Sequence, residues 1–190
     1  FSSSGQGKCR VPKRRNARLY PKCIEESDTL RIQACVSPLW DTALALTGLL
    51  DSGIPTSHPS LKKAHDYLIS NQILESGDWQ IKAKNVQAGG WAFEFHNNYY
   101  PDVDDTAEIV LAINKMRPRS EMKNSNVIRR AVMWVLGMQS SNGGWGAFDK
   151  DNTRRFIAKL PFTDFGETID PPSVDVTAHV IEMLAHLGYR

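Results

Sequence analysis

The sequence has no long apolar run and few cysteines. No stretch reaches the ~18 consecutive apolar residues of a membrane-spanning helix, so none is predicted. Only three cysteines occur among 190 residues, all in the first 35, and none forms a CxxC pair. No His cluster lies near them. The sequence therefore predicts neither a zinc site nor a disulfide framework.

Acidic residues are absent from the first 22 positions, which carry seven basic residues. This segment is also poor in large apolar side chains, so it cannot bury enough surface to fold by itself. It is predicted to be a disordered or foreign tail, or an arm for anionic lipid, nucleic acid or targeting. The rest of the chain has 16 basic and 21 acidic residues. That mildly acidic body is not typical of a nucleic-acid-binding protein.

Apolar periodicity and capping signals predict five helices. Segment 59–73 is amphipathic, and segment 124–139 is intermediate. Segments 38–52, 102–117 and 173–187 are apolar nearly all round, so we expect them to be buried on every side. The alternation of the two kinds predicts an inner and an outer layer of helices, with the inner helices parallel.

An internal repeat supports this arrangement. The pattern around Gln72, which runs on to Gly77-x-Trp79, matches the pattern around Gln139, which runs on to Gly143-x-Trp145, at an offset of 67 residues. A Thr-Ala step near the start of each inner helix recurs at offsets of 64 and 71. Repeated helix pairs stacked around an axis predict an all-α fold, an α/α toroid with a central cavity.

Parallel inner helices would bring their N-termini together at one end of that cavity. Five aspartates lie at these N-termini: Asp41, Asp102, Asp104, Asp105 and Asp175. Capping explains one or two of them, but PDVDD supplies three within four residues. Carboxylates packed against an apolar cavity cannot all ionise, so at least one pKa is expected to rise. The proton held at neutral pH would make that group a general acid.

His179 follows Asp175 by four residues, on the same helical face. If that face meets PDVDD, an imidazolium would stabilise the anion left after proton donation; the simpler interpretation is a hydrogen-bonded core histidine. Magnesium binding is the alternative role for the aspartates. DVDD lacks the DDxxD spacing, however, and no Gly-rich phosphate loop accompanies it. Acid chemistry is therefore favoured over a metal.

Aromatic residues concentrate at the inner-helix starts and in the loops that lead to them. They are Trp40, Trp91, Phe93, Tyr99, Tyr100, Trp145, Phe148, Phe162 and Phe165. Some of them are expected to fill the core. An acid that faces aromatic walls suits the protonation of an alkene, because ring faces stabilise the resulting carbocation and excluded water cannot trap it.

Four motifs in order resemble the squalene–hopene cyclases, which are bacterial class II triterpene cyclases. The motifs are QACVSPLWDTALAL, PDVDDTAEIVLA, the paired repeats ending in GDW and GGWGAFD, and DPPSVDVTAH. The resemblance runs from about Leu30 to Arg190. It implies part of a terpene-cyclase α/α barrel, from a chain much longer than this one.

The resemblance also implies residue roles. Asp104 matches the proton donor, with Asp102 and Asp105 as its partners. His179 matches the histidine paired with that acid, and Asp175 the residue that supports the histidine. Five aromatic residues match positions that line the cavity or its channel: Trp40, Phe93, Tyr100, Phe148 and Phe162. Phe148 stands where the best-known members have Tyr, so the resemblance does not fix the product.

The implied activity is cyclisation of squalene, or a related linear polyprene, to a polycyclic triterpene such as hopene. A cyclase for another polyprene or for a diterpene diphosphate, and a non-catalytic lipid-binding toroid, stay open as alternatives. The resemblance implies no metal and no organic cofactor. It also implies a homodimer that associates monotopically with the bacterial cytoplasmic membrane.

The predicted organisation has three parts: a tail over residues 1–22, an inter-domain linker over 23–36, and part of a catalytic barrel over 37–190. Both ends look cut, so the chain is expected to be a central piece of a longer protein. By itself it is expected to expose apolar surface where further helices would pack, and to be inactive.

Overall fold

The computed structural model describes residues 23–25, 29–32, 35–116, 126–154 and 169–189. The predicted tail, residues 1–22, lies outside them. The chain divides into two compact units, residues 1–36 and 37–190. In the first, β1 (Cys23–Glu25) pairs antiparallel with β2 (Leu30–Ile32). This ribbon lies in the segment predicted as a linker, and three-residue strands are too short to show a two-residue period.

The second unit is helical, and the all-α fold class is confirmed. Its helices lie within three residues of the predicted bounds, although the predicted start of the fourth, at Asn124, falls outside the described residues. They are α1 (Pro38–Asp51), α2 (Pro59–Ser70), α3 (Val103–Lys115), α4 (Asn126–Gly137) and α5 (Val174–His186). A 3₁₀ turn at Asp78–Ile81 was not predicted.

The helices begin where proline or a capping side chain allows. Proline occupies the first position of both α1 and α2. Before α3, Asp102 Oδ1 accepts the backbone N–H groups of Asp104 at 2.7 Å and Asp105 at 3.2 Å. Before α5, the Ser173 hydroxyl accepts the backbone N–H of Val176. The first acid of PDVDD is therefore a helix cap.

Helix α3 lies at the centre of this unit. It packs against α1, α2, α4 and α5. Of its 13 residues, ten are buried. Helices α1, α3 and α5 form one row, and α2 and α4 pack against it, which is the predicted alternation of inner and outer helices.

Side-chain contacts at the two ends of the row show that its members run in the same direction. At the last residues of α1 and α3, Lys115 Nζ lies 2.7 Å and 2.9 Å from the two carboxylate oxygens of Asp51. In the first halves of α3 and α5, His179 contacts Asp104. Neighbours that meet start to start and end to end are parallel, as predicted. The inner-helix N-termini therefore share one end of the unit.

The expectation that all three inner helices are buried on every side is wrong for α1 and α5. In α1 only three residues are buried, and Leu44 and Leu49 are more than two-fifths exposed. In α5, Val174 and Ile181 are largely exposed. The physical reason is position: α3 has neighbours all round, whereas α1 and α5 flank it. Their exposed apolar faces agree with the expectation that this chain shows surface for further helices.

The structure also corrects the internal repeat. The indole Nε1 of Trp145 donates to the backbone carbonyl of Val135, and the equivalent bond, to the carbonyl of Leu68, is made by Trp91. Likewise the side chain of Gln139 donates to the Gly143 carbonyl, whereas that of Gln72 donates to the Gly89 carbonyl. Trp91, not Trp79, therefore occupies the position in the first repeat that Trp145 occupies in the second. The first repeat has 13 extra residues between its glutamine and this tryptophan.

Candidate active site

Two of the predicted site residues meet at the shared end of the inner helices. His179 Nδ1 lies 2.6 Å from Asp104 Oδ1, although 75 residues separate them in the chain. Both side chains are partly buried. The contact with Asp104 is the main cause that raises the pKa of His179, since the carboxylate favours the protonated ring. The contact therefore favours the protonated form of the His179 ring.

The other two acids of PDVDD are buried against apolar surroundings. Burial raises the pKa of Asp102 to about 7, against the lowering effect of the two backbone N–H groups that it caps. Burial and the neighbouring charges of Asp102 and Asp104 raise the pKa of Asp105 to about 8. Asp105 Oδ1 is buried and has no hydrogen-bond partner among the described residues. These rises agree with the prediction that three packed carboxylates cannot all ionise.

Asp104 differs from both in its partner. It faces His179, whereas Asp102 caps α3 and Asp105 lies in the protein interior, 1 % exposed. Through this contact, a protonated His179 ring can stabilise negative charge on the Asp104 side chain.

The sequence did not point to Glu108, which adjoins this pair. Glu108 lies one helical turn after Asp104, and its Oε1 is 4.0 Å from His179 Nδ1. Burial raises the pKa of Glu108, while the charge of His179 lowers it. Glu108 and Glu182 both contribute to the raised pKa of His179. The i, i+4 spacing from Asp104 was the available signal.

Asp175 lies near the start of α5, outside direct contact with His179 Nδ1. It is exposed on α5, and hydrogen bonds from Ser173 and the backbone of Val176 lower its pKa. Within the described part of the chain, the acids within 4.0 Å of His179 Nδ1 are Asp104 and Glu108. Only a through-space charge interaction links Asp175 to His179. Its supporting role stays a prediction.

The loop that contains Phe148 is fixed to the start of α3. The backbone carbonyl of Ala147 accepts the N–H of Val103, the first residue of α3, at 2.7 Å. The carboxylate of Asp170 accepts the backbone N–H groups of Ala147, Phe148 and Asp149. Asp170 was not predicted as a site residue, because nothing in the local sequence shows that it contacts residues 21–23 positions away.

Two of the predicted lining residues share a cavity. A space of about 270 Å³ is lined by Tyr100 and Phe148, together with Trp79, Tyr99 and Asp170. Both rings are partly exposed, Tyr100 at 48 % and Phe148 at 41 %. Trp40 and Phe93 are half-buried, and the structure gives neither a ring contact nor a hydrogen bond with this cluster. Phe162 lies outside the described residues.

Metal ligands and membrane-spanning helices are the remaining features of the described residues that bear on function. Among these residues, no group of three or more His, Cys, Asp or Glu side chains is arranged to hold a metal ion. No helix in the described part is both long and apolar enough to cross a bilayer.

Comparison with known proteins places this geometry in a family. Residues 36–190 match the model of the squalene-hopene cyclase C-terminal domain. The squalene–hopene cyclase of Alicyclobacillus acidocaldarius is 50% identical over 157 residues, which are 83% of this chain and 25% of that protein. The squalene–hopene cyclase of Bradyrhizobium diazoefficiens is 45% identical over 163 residues, 85% of this chain and 25% of that protein.

A plant protein is also similar. The dammaradiene synthase of Dryopteris crassirhizoma is 43% identical over 165 residues, 86% of this chain and 24% of that protein. The chain therefore spans about a quarter of the length of the curated relatives that it matches. With four-fifths of its residues under one domain model and an Asp–His pair at the shared helix ends, the chain belongs to the squalene–hopene cyclase family.

Proposed function

We propose that the full-length protein carrying this chain cyclises squalene, or a related linear polyprene, to a polycyclic triterpene such as hopene. The observation that carries the proposal is the 2.6 Å contact between Asp104 and His179, where the inner helices begin. Four relatives named squalene–hopene cyclase share 42–50% of the aligned residues. The relative named dammaradiene synthase shows that products differ among similar proteins.

The proposed reaction begins with proton transfer. Asp104 gives its proton to one carbon of a terminal double bond, and the other carbon becomes a cation. Neighbouring double bonds attack in turn, each using its electron pair for a new carbon–carbon bond, and the cation moves along the chain. The last cation loses a proton to solvent water, which leaves a neutral product, and solvent later returns a proton to Asp104. Substrate and product have the same composition, so the reaction is an isomerisation.

The neighbours of Asp104 support this role by their charge. After proton donation, His179 as imidazolium lies beside the new carboxylate and stabilises it. The pKa of Asp105, raised to about 8, keeps this acid mostly protonated near pH 7, and the pKa of Asp102, raised to about 7, keeps about half of that group protonated, which reduces the repulsion on Asp104. The aromatic rings of Tyr100 and Phe148 are proposed to stabilise cations later in the reaction.

The cavity beside Phe148 favours a hydrocarbon over a diphosphate. The described residues that line it include the acids Asp78, Asp149 and Asp170 and no Lys or Arg. A diphosphate group requires cationic partners, which this part of the site lacks. The described lining therefore argues against a diterpene diphosphate at this cavity.

Incubation of the full-length protein with squalene in D₂O tests the proposed function. The proton on Asp104 exchanges with solvent, so each cyclised molecule should carry one added deuterium, seen as a mass increase of one unit. A product of squalene mass without label would contradict initiation by an exchangeable acid. Bound but unchanged squalene would instead support the lipid-binding alternative.

Replacing Glu108 with Gln should move the pH dependence of the rate. The rate is expected to fall as pH rises through the pKa of His179, because the neutral ring cannot hold the carboxylate. Removing a negative charge 4.0 Å from Nδ1 lowers that raised pKa, so the alkaline limb should move to lower pH. The measurement is the pH–rate profile of the full-length protein.

Glu182→Gln is the matched control for Glu108→Gln. It removes the same charge from α5, but the contact that Glu182 makes within 4.0 Å is with His186. Its effect on the alkaline limb should be smaller. Equal shifts in the two variants, or none in Glu108→Gln, would contradict a specific effect of Glu108.

The remaining proposals concern the whole protein. A water-insoluble hydrocarbon substrate supports association with a membrane surface, and the family resemblance supports a homodimer. Placement at the bacterial cytoplasmic membrane is proposed on the same resemblance. Similar proteins also occur in a fungus and a fern. No nucleic-acid partner is proposed.

A further inference from the structure

We propose that Asp170 is a positioning residue that sets where the Phe148 ring lies relative to Asp104, and so controls how far cyclisation proceeds. The inference deepens the proposed function and rests on it. It assigns a structural cause for product outcome to a side chain that is not itself expected to touch the substrate.

The carboxylate of Asp170 binds three backbone N–H groups of the loop that carries Phe148. Its Oδ1 accepts the backbone N–H of Ala147 at 3.0 Å, and its Oδ2 accepts those of Phe148 at 2.6 Å and Asp149 at 2.7 Å. Three successive N–H groups on one carboxylate fix both the path of the loop and the direction in which the Phe148 side chain leaves it. The backbone N–H of Asp170 is itself held by the carbonyl of Asn152 at 3.1 Å.

The loop packs closely against Asp170 at Gly146. A Cβ atom added at Gly146 would lie 2.7 Å from the Asp170 backbone oxygen and 2.8 Å from its Oδ2. Those separations are shorter than a carbon–oxygen contact allows, so a side chain at Gly146 would push the loop away. Glycine at this position therefore permits the three bonds to form.

The same loop is hydrogen-bonded to the residue that precedes Asp104. The carbonyl of Ala147 accepts the N–H of Val103 at 2.7 Å, and Val103 immediately precedes Asp104. One carboxylate thus holds a loop that carries Phe148 on one side and binds the start of α3 on the other. Any shift of this loop changes the distance between the proposed acid and the proposed cation-stabilising ring.

The Asp170 side chain lies at the cavity, but its carboxylate is occupied by the loop. Asp170 borders the cavity of about 270 Å³ that Tyr100 and Phe148 also line. The strong acceptor positions of its carboxylate are directed to backbone N–H groups, so it acts through Phe148 and not on the substrate. An amide at position 170 keeps the size but turns an NH₂ group toward at least one N–H donor, which breaks that bond.

The test compares products from the full-length protein and its Asp170→Asn variant, with Phe148→Ala as the reference for a lost ring. Squalene consumption and uptake of one deuterium should persist in Asp170→Asn. The ratio of prematurely terminated to complete products should rise about 2- to 30-fold, the range that corresponds to a weakened cation–π contact. Gly146→Ala displaces the same loop from its other side and should shift the ratio in the same direction.

Asp151→Asn is the matched control. Asp151 Oδ1 accepts the backbone N–H and the hydroxyl of Ser141, both at 2.8 Å, so this change also removes a loop-binding carboxylate. Its backbone φ of 55° is one that Asn accepts readily. We expect a wild-type product ratio from it.

An unchanged ratio in Gly146→Ala, or in Asp170→Asn where that protein is recovered, would overturn the proposal. So would an equal shift in Asp151→Asn, since that would indicate general loosening. Failure of the proposed function gives a different result, because the wild-type protein itself would then produce no deuterium-labelled cyclic product.

Discussion

Asp104→Asn in the full-length protein is expected to abolish turnover of squalene while the fold and substrate binding persist. Protonation of an isolated alkene requires a strong acid whose proton points at one carbon, and an amide has the shape but not the proton. A general acid is typically worth ~10²–10⁴-fold, and we expect a loss at or beyond the upper end because excluded water cannot substitute. Product formation by mass spectrometry measures it.

Asp51→Asn is the matched control for this substitution. Asp51 also joins two inner helices, through Lys115, but at the opposite end from the acid. An exposed ion pair contributes about 0–1 kcal/mol, so this variant should keep the wild-type rate. Wild-type turnover in Asp104→Asn would contradict the assignment. Loss of turnover in Asp105→Asn alone would move the donor to Asp105, whose pKa is raised to about 8.

The helices were predictable because their signals are local. Proline at the start of α1, an apolar pattern along α3 and a glycine at the end of α5 are all read within one helix length. The recurring Thr-Ala step also identified the three inner helices as equivalent elements of the repeat. Tertiary surroundings were not predictable in the same way, so the exposed sides of α1 and α5 differ from the buried α3.

The site was predictable to the extent that its residues are neighbours in sequence. PDVDD is one such run, and the Asp175–His179 spacing is another, but their meeting at Asp104 depends on how α3 and α5 pack. Assigning His179 therefore required the family resemblance. Asp170 lies outside both runs, and its bonds to residues 147–149 follow only from the folded loop.

Trp79 shows how a correct motif leads to a wrong correspondence. Its Gly-x-Trp context copies that of Trp145, so a match by spacing selects it. In the fold, the hydrogen bonds that define the position belong to Trp91. Spacing alone cannot reveal an insertion when a second Gly-x-Trp motif stands near the position that the match predicts.

Trp91→Ala is expected to be among the most destabilising single changes in this chain. The Trp91 ring is fully buried, and its Nε1 donates to the Leu68 carbonyl at 2.7 Å, which ties outer helix α2 to the start of α3. The backbone of Trp91 also binds Asp102 and Thr106. Loss of a buried Trp side chain costs about 3–5 kcal/mol of unfolding free energy. The thermal unfolding midpoint of the full-length protein in detergent measures the loss.

A pair of Trp→Phe variants separates the hydrogen bond from the buried area. Trp79 and Trp91 are both almost fully buried, but Trp79 Nε1 has no hydrogen-bond partner among the described residues. Trp91→Phe leaves the Leu68 carbonyl without its donor, a cost of about 1–3 kcal/mol, whereas Trp79→Phe removes an unsatisfied polar group. Trp91→Phe should therefore lower the unfolding midpoint more than Trp79→Phe does. Equal midpoints in the two variants would show that the indole bond between α2 and Trp91 adds nothing to the stability of the acid-bearing helix.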